Sequence, residues 1–417
     1  MAAPTSPAKR ACRGGLPMST EERVFIAGAG PVGLSAAAAL VRQGVPVTVF
    51  EGAGELSRES RASTFHPSTL DMLDDLGVTD ALVATGLVAP RVQYRTRHDG
   101  IIAAFDFGAI ADLTRHPYRL QSEQHNLTRI IDAALGADPR YRIEFDKRVA
   151  GANQDADGVT VTLAAADGTT EERRARWLIG ADGARSEVRK ALGVAFEGFT
   201  WPERFLVVGT TFDFPAIVPG LDAVSYVADP TQWHFYLQIP GMWRMMFPVA
   251  PDVSDETATS RAFATATLAT VQPTVADDDI VHVTLYRVHQ RVAKTFRVGR
   301  AFLAGDAAHI NNPLGGMGMN GGIHDAINLA DRLARVWRGE AGDAELDRYD
   351  RQRRLVTLEY VQKHTIQNKR NLETTDAAEQ ARFREEMRRI ADDPALTRDY
   401  LRRISMIASL ARAEELG

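Results

Sequence analysis

With 417 residues, 45% of them hydrophobic, the chain can bury a large core and fill roughly two domains. Charged residues make up 25% and the formal net charge is −5, so nothing global pulls the protein toward nucleic acid or anionic lipid, and no apolar run reaches the roughly 18 residues of a membrane span. The single cysteine, Cys12, excludes an intrachain disulfide framework, a cysteine-rich metal site and an intrachain redox dithiol, and fits the reducing cytoplasm.

Residues 1–21 are small, polar and basic without the apolar stretch of a signal peptide. They predict a disordered leader, with Met18 as a candidate start. The next segment, RVFIAGAGPVGLSAAAALVRQGVPVTVFE, predicts a βαβ unit: a strand over 24–27, a helix over 31–43 ended by Gly44, and a strand over 45–50. Gly28, Gly30 and Gly33 fit the dinucleotide pattern between strand and helix, with Pro31 and Val32 among them. Gly28 permits the tight turn, Gly30 lets a pyrophosphate approach the backbone, and Gly33 lets helix and strand pack closely. The helix N-terminus adds free N–H donors. Glu51 follows the second strand, 18 residues after Gly33. An acid there binds a ribose diol and repels a 2′-phosphate, so NAD and FAD fit this first site and NADP does not.

A region over 205–288 holds β-type runs between Pro, Gly and Asp breaks. Further on, RAFLAGDAAHINNPLGGMGMNGGIHDAINLADRLARVW predicts a strand over 301–304 ending at Gly305–Asp306. A polar stretch follows, then a helix over about 321–337. Gly316, Gly318 and Gly321 match the dinucleotide pattern again. They do not directly follow a strand, and no second βαβ unit with an acid accompanies them. This is a glycine-rich helix N-terminus that brings backbone N–H groups to something anionic. The two loops together suggest one long ligand, with adenosine at Glu51 and its other end at the later helix. FAD has that shape, and a helix N-terminus would stabilise the negative charge of reduced flavin.

These segments resemble the class A flavoprotein monooxygenases, the aromatic hydroxylases of the p-hydroxybenzoate hydroxylase type, in order over about 22–372. GAGPVG with Glu51, GADGARSEVRK at 180–190 (with Arg185, Ser186 and Arg189), GRAFLAGDAAH and PLGGMGMNGGIHDAINLADRLA carry the resemblance. It implies that Gly28, Gly30 and Gly33 face the FAD pyrophosphate and Glu51 the adenosine ribose. Arg61 lies near the diphosphate and Gln124 beside the ribityl chain. Asp182 lies near FAD and the nicotinamide cofactor, and Asp306, after Gly305, contacts the ribityl or pyrophosphate. Pro313 sits beside the flavin ring. Gly316 opens the segment in which Gly318, Met319 and Asn320 present backbone N–H groups to the flavin carbonyl end. Met317 departs from the polar residue of many relatives, and backbone contacts should survive it. His309, and the adjacent His324 and Asp325 whose side chains diverge on a helix, read as structural.

The implied fold is α/β, a Rossmann-like FAD-binding domain interleaved with a β-sheet substrate domain and followed by C-terminal helices. The FAD-binding parts are 22–95, 119–200 and 290–340, the substrate sheet 96–118 and 201–289, and the helical region 341–417. The sheet roofs the flavin. Tyr226, His234, Tyr236, Met245 and Phe247 are candidates to face substrate, although alternation lets only about half point inward. His66, in FHPSTL, is a further candidate near the flavin. The run over 348–370 reads as a long basic amphipathic helix with a solvated charged face.

The resemblance implies a single-component flavin monooxygenase. NADH or NADPH reduces FAD, and O2 gives a C4a-hydroperoxyflavin that hydroxylates an activated aromatic, a phenol or a hydroxylated N-heteroaromatic. The partners are a small aromatic substrate and O2, no metal is needed, and the chain is a monomer or homodimer. The alternative is an epoxidase or Baeyer–Villiger oxygenase on a non-phenolic substrate. The single cysteine excludes a disulfide reductase, and no W-x-W-x-I-P segment marks a halogenase. A non-catalytic binder is disfavoured by the two intact glycine loops.

Overall fold

The computed structural model describes residues 21–417. The expected leader, with Cys12 and Met18, lies outside the described residues except for Glu21, which opens the first strand.

Short apolar runs bounded by glycine build the first sheet. Its path is β17 (Arg297–Val298), β18 (Ala301–Leu303), β11 (Thr170–Gly180), β1 (Glu21–Ala27), β2 (Val47–Phe50) and β8 (Tyr141–Glu144). From β18 to β8 every neighbouring pair is parallel. β2 is buried at all positions, as expected for a parallel strand covered on both faces. β9 (Arg148–Gln154) and β10 (Val159–Ala164) extend the first half of β11 antiparallel. The covering helices include α1 (Pro31–Arg42), α4 (Gln124–Leu135) and α5 (Glu187–Ala191).

Register then sets the site. Ala27 pairs with both Phe50 and Gly180, and Gly180 pairs with Leu303. Four strands therefore end at one level, and Gly28, Glu51, Asp182 and Asp306 follow them at the carboxyl edge. That edge is where parallel α/β sheets bind ligands.

The second sheet runs β19 (His309–Ile310), β16 (Ile280–Ala293), β12 (Phe196–Thr210), β15 (Met242–Val249), β14 (His234–Ile239), β13 (Val224–Val227), β5 (Arg91–Thr96) and β6 (Gly100–Asp106). β12 and β16 run across the expected borders at 200/201 and 289/290. Two helices, α6 (Asp255–Ala258) and α7 (Arg261–Ala269), interrupt the run that reads as pure strand, and they cover one face of this sheet. A third, small sheet of β3 (Thr64–Phe65), β7 (Arg119–Gln121) and β4 (Leu87–Ala89) joins the two, with α2 (Pro67–Asp75) and α3 (Thr79–Val83) beside it.

α8 (Met317–Trp337) returns the chain to the first sheet, and α9 (Ala344–Val356), α10 (Lys363–Glu373), α11 (Ala377–Asp392), α12 (Pro394–Ile404) and α13 (Ile407–Glu415) close the fold. A π-helical turn, Thr357–Gln362, joins α9 to α10. The expected solvated face of this region is not what forms. Arg353 and Lys369 are both buried: Arg353 pairs with Asp325, and Lys369 with Glu203 and Glu373. Asp325 and Glu203, supplied by distant segments, let these cations sit inside, with Glu373 one turn along α10 adding to the second, and helical periodicity alone does not reveal the two distant partners.

Close packing at the glycines ties the two loops together. A Cβ on Gly33 would stand 2.0 Å from the Gly28 carbonyl oxygen, and one on Gly28 (φ +97°) 2.5 Å from that of Ala181. A Cβ on Gly305 would meet Val32 Cγ2 at 2.7 Å, and one on Gly322 the same atom at 2.5 Å and Gly305 Cα at 2.9 Å. Val32, from the first turn of α1, thus fills the gap between the Gly305–Asp306 turn and the second turn of α8. Gly322→Ala should destabilise the fold by about 1–3 kcal/mol. Adding Val32→Ala should recover only part, because the Gly305 contact remains. Urea unfolding of the single and double variants beside the parent chain measures this, and full recovery would contradict the three-way contact.

Candidate active site

Gly30 is the extended N-cap of α1 and Pro31 its first residue. Proline has no N–H, so Val32 and Gly33 are the first-turn donors left free by the helix. A Cβ on Gly30 would meet no atom within 4 Å, so an oxyanion can come against the backbone here. Glu51 is half-buried, and its two oxygens accept from the N–H groups of Ala29 (2.9 Å) and Ala53 (3.0 Å). It therefore braces the first loop and keeps lone pairs for a diol. Asp182 caps α5, accepting at Oδ2 from Glu187 N–H (2.8 Å) and Val188 N–H (3.1 Å). Its Oδ1 is buried without a partner, and burial pushes its carboxyl up.

Asp306 is solvent-exposed, yet enough protein surrounds it that burial pushes its carboxyl up, against His309 and Arg61. Accessible and enclosed together describe the floor of a cleft. Its carboxylate makes no hydrogen bond or ion pair among the described residues. Arg61 lies in its electrostatic reach, pairs with Glu59 at the surface and gives its carbonyl to Arg244 (2.9 Å). Gln124 opens α4 half-buried. Gln121, three residues earlier, was not singled out from the sequence. It is fully buried with Oε1 on Thr64 Oγ1 (2.8 Å) and an orphaned Nε2.

The second loop is a turn built on Pro313, which is exposed and accepts from Gly316 N–H at 3.0 Å. Gly316 takes φ +70° as the N-cap, and α8 begins at Met317, four residues before the expected 321. Glycine penalises a helix interior by only about 1 kcal/mol, and tertiary contacts here override it. The free first-turn donors are therefore Met317, Gly318 and Met319, whereas the Asn320 N–H is the first that the helix itself can use. Asn320 acts through its side chain instead: it accepts from His66 N–H (2.9 Å) and donates to Thr64 O (2.8 Å) and Gly316 O (2.6 Å). His66 is fully buried with Nε2 2.9 Å from the Gly315 carbonyl. Burial first, and Arg119 second, hold its ring well below the usual imidazole range, so the neutral Nε2–H tautomer donates. Asn312 and Gln290, also missed in the sequence, pin the other side: Gln290 Oε1 accepts from Asn312 N–H (3.1 Å) and Nδ2 (3.2 Å).

His309 and Asp325 are structural, as read from the sequence. His309 Nε2 lies 2.8 Å from Asp325 Oδ2, which also accepts Gly305 N–H (3.1 Å). Oδ1 accepts from Arg353 Nε (2.7 Å). Burial opposes ionisation of Asp325, but His309 and Arg353 outweigh it and hold the carboxyl below its ordinary value. His324 points the other way, to Thr69 Oγ1 at 3.0 Å.

Register divides the candidates on the second sheet. Tyr94, Tyr226, Phe235, Met246, Val207 and Thr284 form one cross-strand row, and directly opposed residues share a face. The neighbouring positions Arg244 and Tyr286 share that face and reach the 60–63 segment, Arg244 to Ser63 Oγ (2.9 Å) and Tyr286 to Ser60 O (3.3 Å). Leu314 of the second loop packs in the same cluster. This is the face turned to the 60–63 segment and the second loop. His234, Tyr236, Met245 and Phe247 lie on the opposite face, under α6 and α7. Tyr226 alone of the five proposed from sequence faces inward. The other four have the wrong parity: the polar tips of His234 and Tyr236 misled because a buried His or Tyr packs equally well in an outer core, and apolar Met245 and Phe247 fit either face. His234 is stacked on Phe247 at 5.7 Å, and burial lowers its ring to about 4.

Residues 21–364 match the FAD binding domain family. The chain belongs to the class A flavoprotein aromatic hydroxylases. It is 34% identical over 387 residues to para-nitrophenol 4-monooxygenase of Pseudomonas sp. (strain WBC-3), covering 92% of this chain and 95% of that one. It is 33% identical to 6-hydroxy-3-succinoylpyridine 3-monooxygenase HspB of Pseudomonas putida (strain DSM 28022 / S16), covering 85% and 90%. The crystal structure of p-nitrophenol 4-monooxygenase PnpA from Pseudomonas putida DLL-E4 superposes with a TM-score of 0.88 at 32% identity, covering 95% of this chain and 99% of that one. The chain is thus an FAD-dependent monooxygenase of the aromatic hydroxylase class, and epoxidation or Baeyer–Villiger oxygenation is not favoured. FAD is its cofactor. The open approach at Gly30, the unpartnered Asp306 carboxylate and the free first turns of α1 and α8 fit that group. No helix among the described residues is long and apolar enough to cross a membrane.

Asp325→Ala or Arg353→Ala should each cost about 3–5 kcal/mol by stranding a buried charge. The double variant should cost less than their sum in urea unfolding. For His66, His234 and His324 burial depresses the ring from 6.5, to about 4 for His234 and about 3 for His324. The unfolded chain binds these protons and the folded chain does not. Stability is therefore fully present above about 6.5 and is lost as pH falls toward the folded values. Melting temperature should drop across that window, and a curve flat from about pH 7 to about pH 4 would contradict the burial.

Proposed function

We propose that the chain hydroxylates a phenol or a hydroxylated N-heteroaromatic, with NADH or NADPH as reductant and O2 as oxygen source. The observation that carries this reading is the apolar, aromatic-rich face of Tyr94, Tyr226, Phe235 and Met246 above the 313–316 turn. A planar ring fits such a surface better than a sugar or polyphosphate does. The relatives named for nitrophenol and a hydroxypyridine support it. When bound, FAD accepts the hydride and activates O2 for insertion into the ring.

The chain's own residues do the rest in this reading. Gly28, Gly30, Val32 and Gly33 receive the pyrophosphate, Glu51 the ribose, and Asp306, with Arg61 nearby, the middle of the cofactor. The free N–H groups of Met317, Gly318 and Met319 stabilise negative charge on the reduced ring. His66 and Asn320 hold that helix start in place. The sheet roof orients the substrate and excludes water. The FAD-binding part comprises 22–95, 119–200 and 290–340 and the substrate part 96–118 and 201–289. The enzyme works in the cytoplasm as a monomer or homodimer.

NADH and NADPH oxidation by the FAD-loaded protein, with a panel of phenols and hydroxypyridines and mass analysis of products, tests this. One oxygen added to a ring is the expected result; uncoupled oxidation across the whole panel would overturn the substrate class. Asp306→Ala should lower bound FAD per chain by about ten-fold or more, the loss of one charged contact. Full flavin content in that variant would remove Asp306 from the cofactor site.

A further inference from the structure

Arg119 lies on β7 and is 2% exposed. Its Nε and Nη1 are buried without hydrogen-bond partners. Among the described residues its side chain forms no ion pair within 4.0 Å and no hydrogen bond. Its guanidinium stands 5.6 Å from the centroid of the Phe107 ring. A charge taken from water without a counter-ion or full hydrogen bonding is expensive, so a partner is missing from the protein itself.

The surroundings indicate what that partner is. Arg119 acts electrostatically on His66, Tyr94, His364 and Tyr400, so it lies between the 313–316 turn and the inward face of the sheet. Tyr94 stacks on Tyr226 at 5.4 Å, and the Tyr400 hydroxyl donates to that of Tyr94 at 3.0 Å. Phe105 and Phe383 complete an aromatic wall around Tyr94. No carboxylate is among the leading electrostatic influences on these four groups. Burial keeps His66 and His364 neutral and holds the phenols of Tyr94 and Tyr400 protonated. None of them can serve as a counter-anion.

We propose that Arg119 is the receptor for an anionic oxygen on the aromatic substrate, a phenolate or a carboxylate, held between the aromatic wall and the 313–316 turn. This rests on the aromatic hydroxylase reading and narrows it to substrates that bind as anions. The planar guanidinium suits such oxygens because it presents paired donors in a fixed fork.

The test is equilibrium dialysis of the FAD-loaded protein with matched ligands: benzoate against benzamide, and ionised 4-nitrophenol against 4-nitroanisole. The wild type should favour the anionic member of a pair by about ten-fold or more, the scale of a hydrogen-bonded charge. Arg119→Met should reduce that preference to about two-fold or less, and Arg119→Lys should restore part of it. Equal binding of both members by the wild type, or an undiminished preference in Arg119→Met, would overturn the proposal. So would loss of FAD in Arg119→Met with the preference retained, which would assign the residue to the cofactor. Should both variants fail to accumulate, a wild-type crystal soaked in benzoate decides: a carboxylate on Arg119 supports the proposal and one elsewhere overturns it. Product analysis separates the two readings. Oxygenated product without anion preference removes only the role of Arg119, whereas anion preference without oxygenated product removes only the hydroxylase substrate class.

Discussion

Two helices must aim their N-termini into one cleft, and the contact that allows it is a valine against two glycines. Val32 closes the first turn of α1 against Gly305 and Gly322 with no room for a Cβ on either. That approach brings the free N–H groups of α1 and of α8 to one side of the fold, where in the proposed reading they serve one elongated ligand. The strand register then places Glu51, Asp182 and Asp306 along the same edge. A bulkier residue at any of the three positions would separate the two ends of the cofactor site before touching a ligand contact.

The loops around that contact are held by buried polar groups. His66 and Asn320 fix the start of α8 from one side, Gln290 and Asn312 fix the Pro313 turn from the other, and Asp325 joins His309, Gly305 and Arg353 beneath. Each such group costs desolvation and is tolerated because its partner is in place. What it contributes is position. A helix start exposed to a reactive cofactor has to stay within a fraction of an ångström, and apolar packing alone leaves glycine backbones free to shift.

Much of this was legible in the sequence where local rules apply. The βαβ unit needs only apolar runs, glycines and an acid at the right spacing, and β1, α1 and β2 fall within a residue or two of their expected bounds at the loop side. The start of α8 was not legible, because glycines that discourage a helix in isolation are held in one by the Asn320 side chain, which bonds the backbone of Thr64 and His66 some 250 residues earlier. The parity of β14 and β15 was not legible either. Both faces of that sheet are apolar, since α6 and α7 cover the outside, so hydrophobic alternation carries no sign of which side meets the cofactor. A usable signal did exist in Arg244, the lone cation in the otherwise apolar strand β15. Such a residue has to meet either a distant carboxylate, as Arg244 meets Glu123, or a ligand.

The two longest strands, β12 and β16, pair with each other along most of their length and carry the chain between the cofactor body and the roof. An antiparallel ladder of that span has no hinge at the border. Neither body can melt without pulling its neighbour's central strands out of register. The roof and the nucleotide fold should thus behave as one cooperative unit, giving a single calorimetric transition. A protease should find no interdomain linker to cut along these strands.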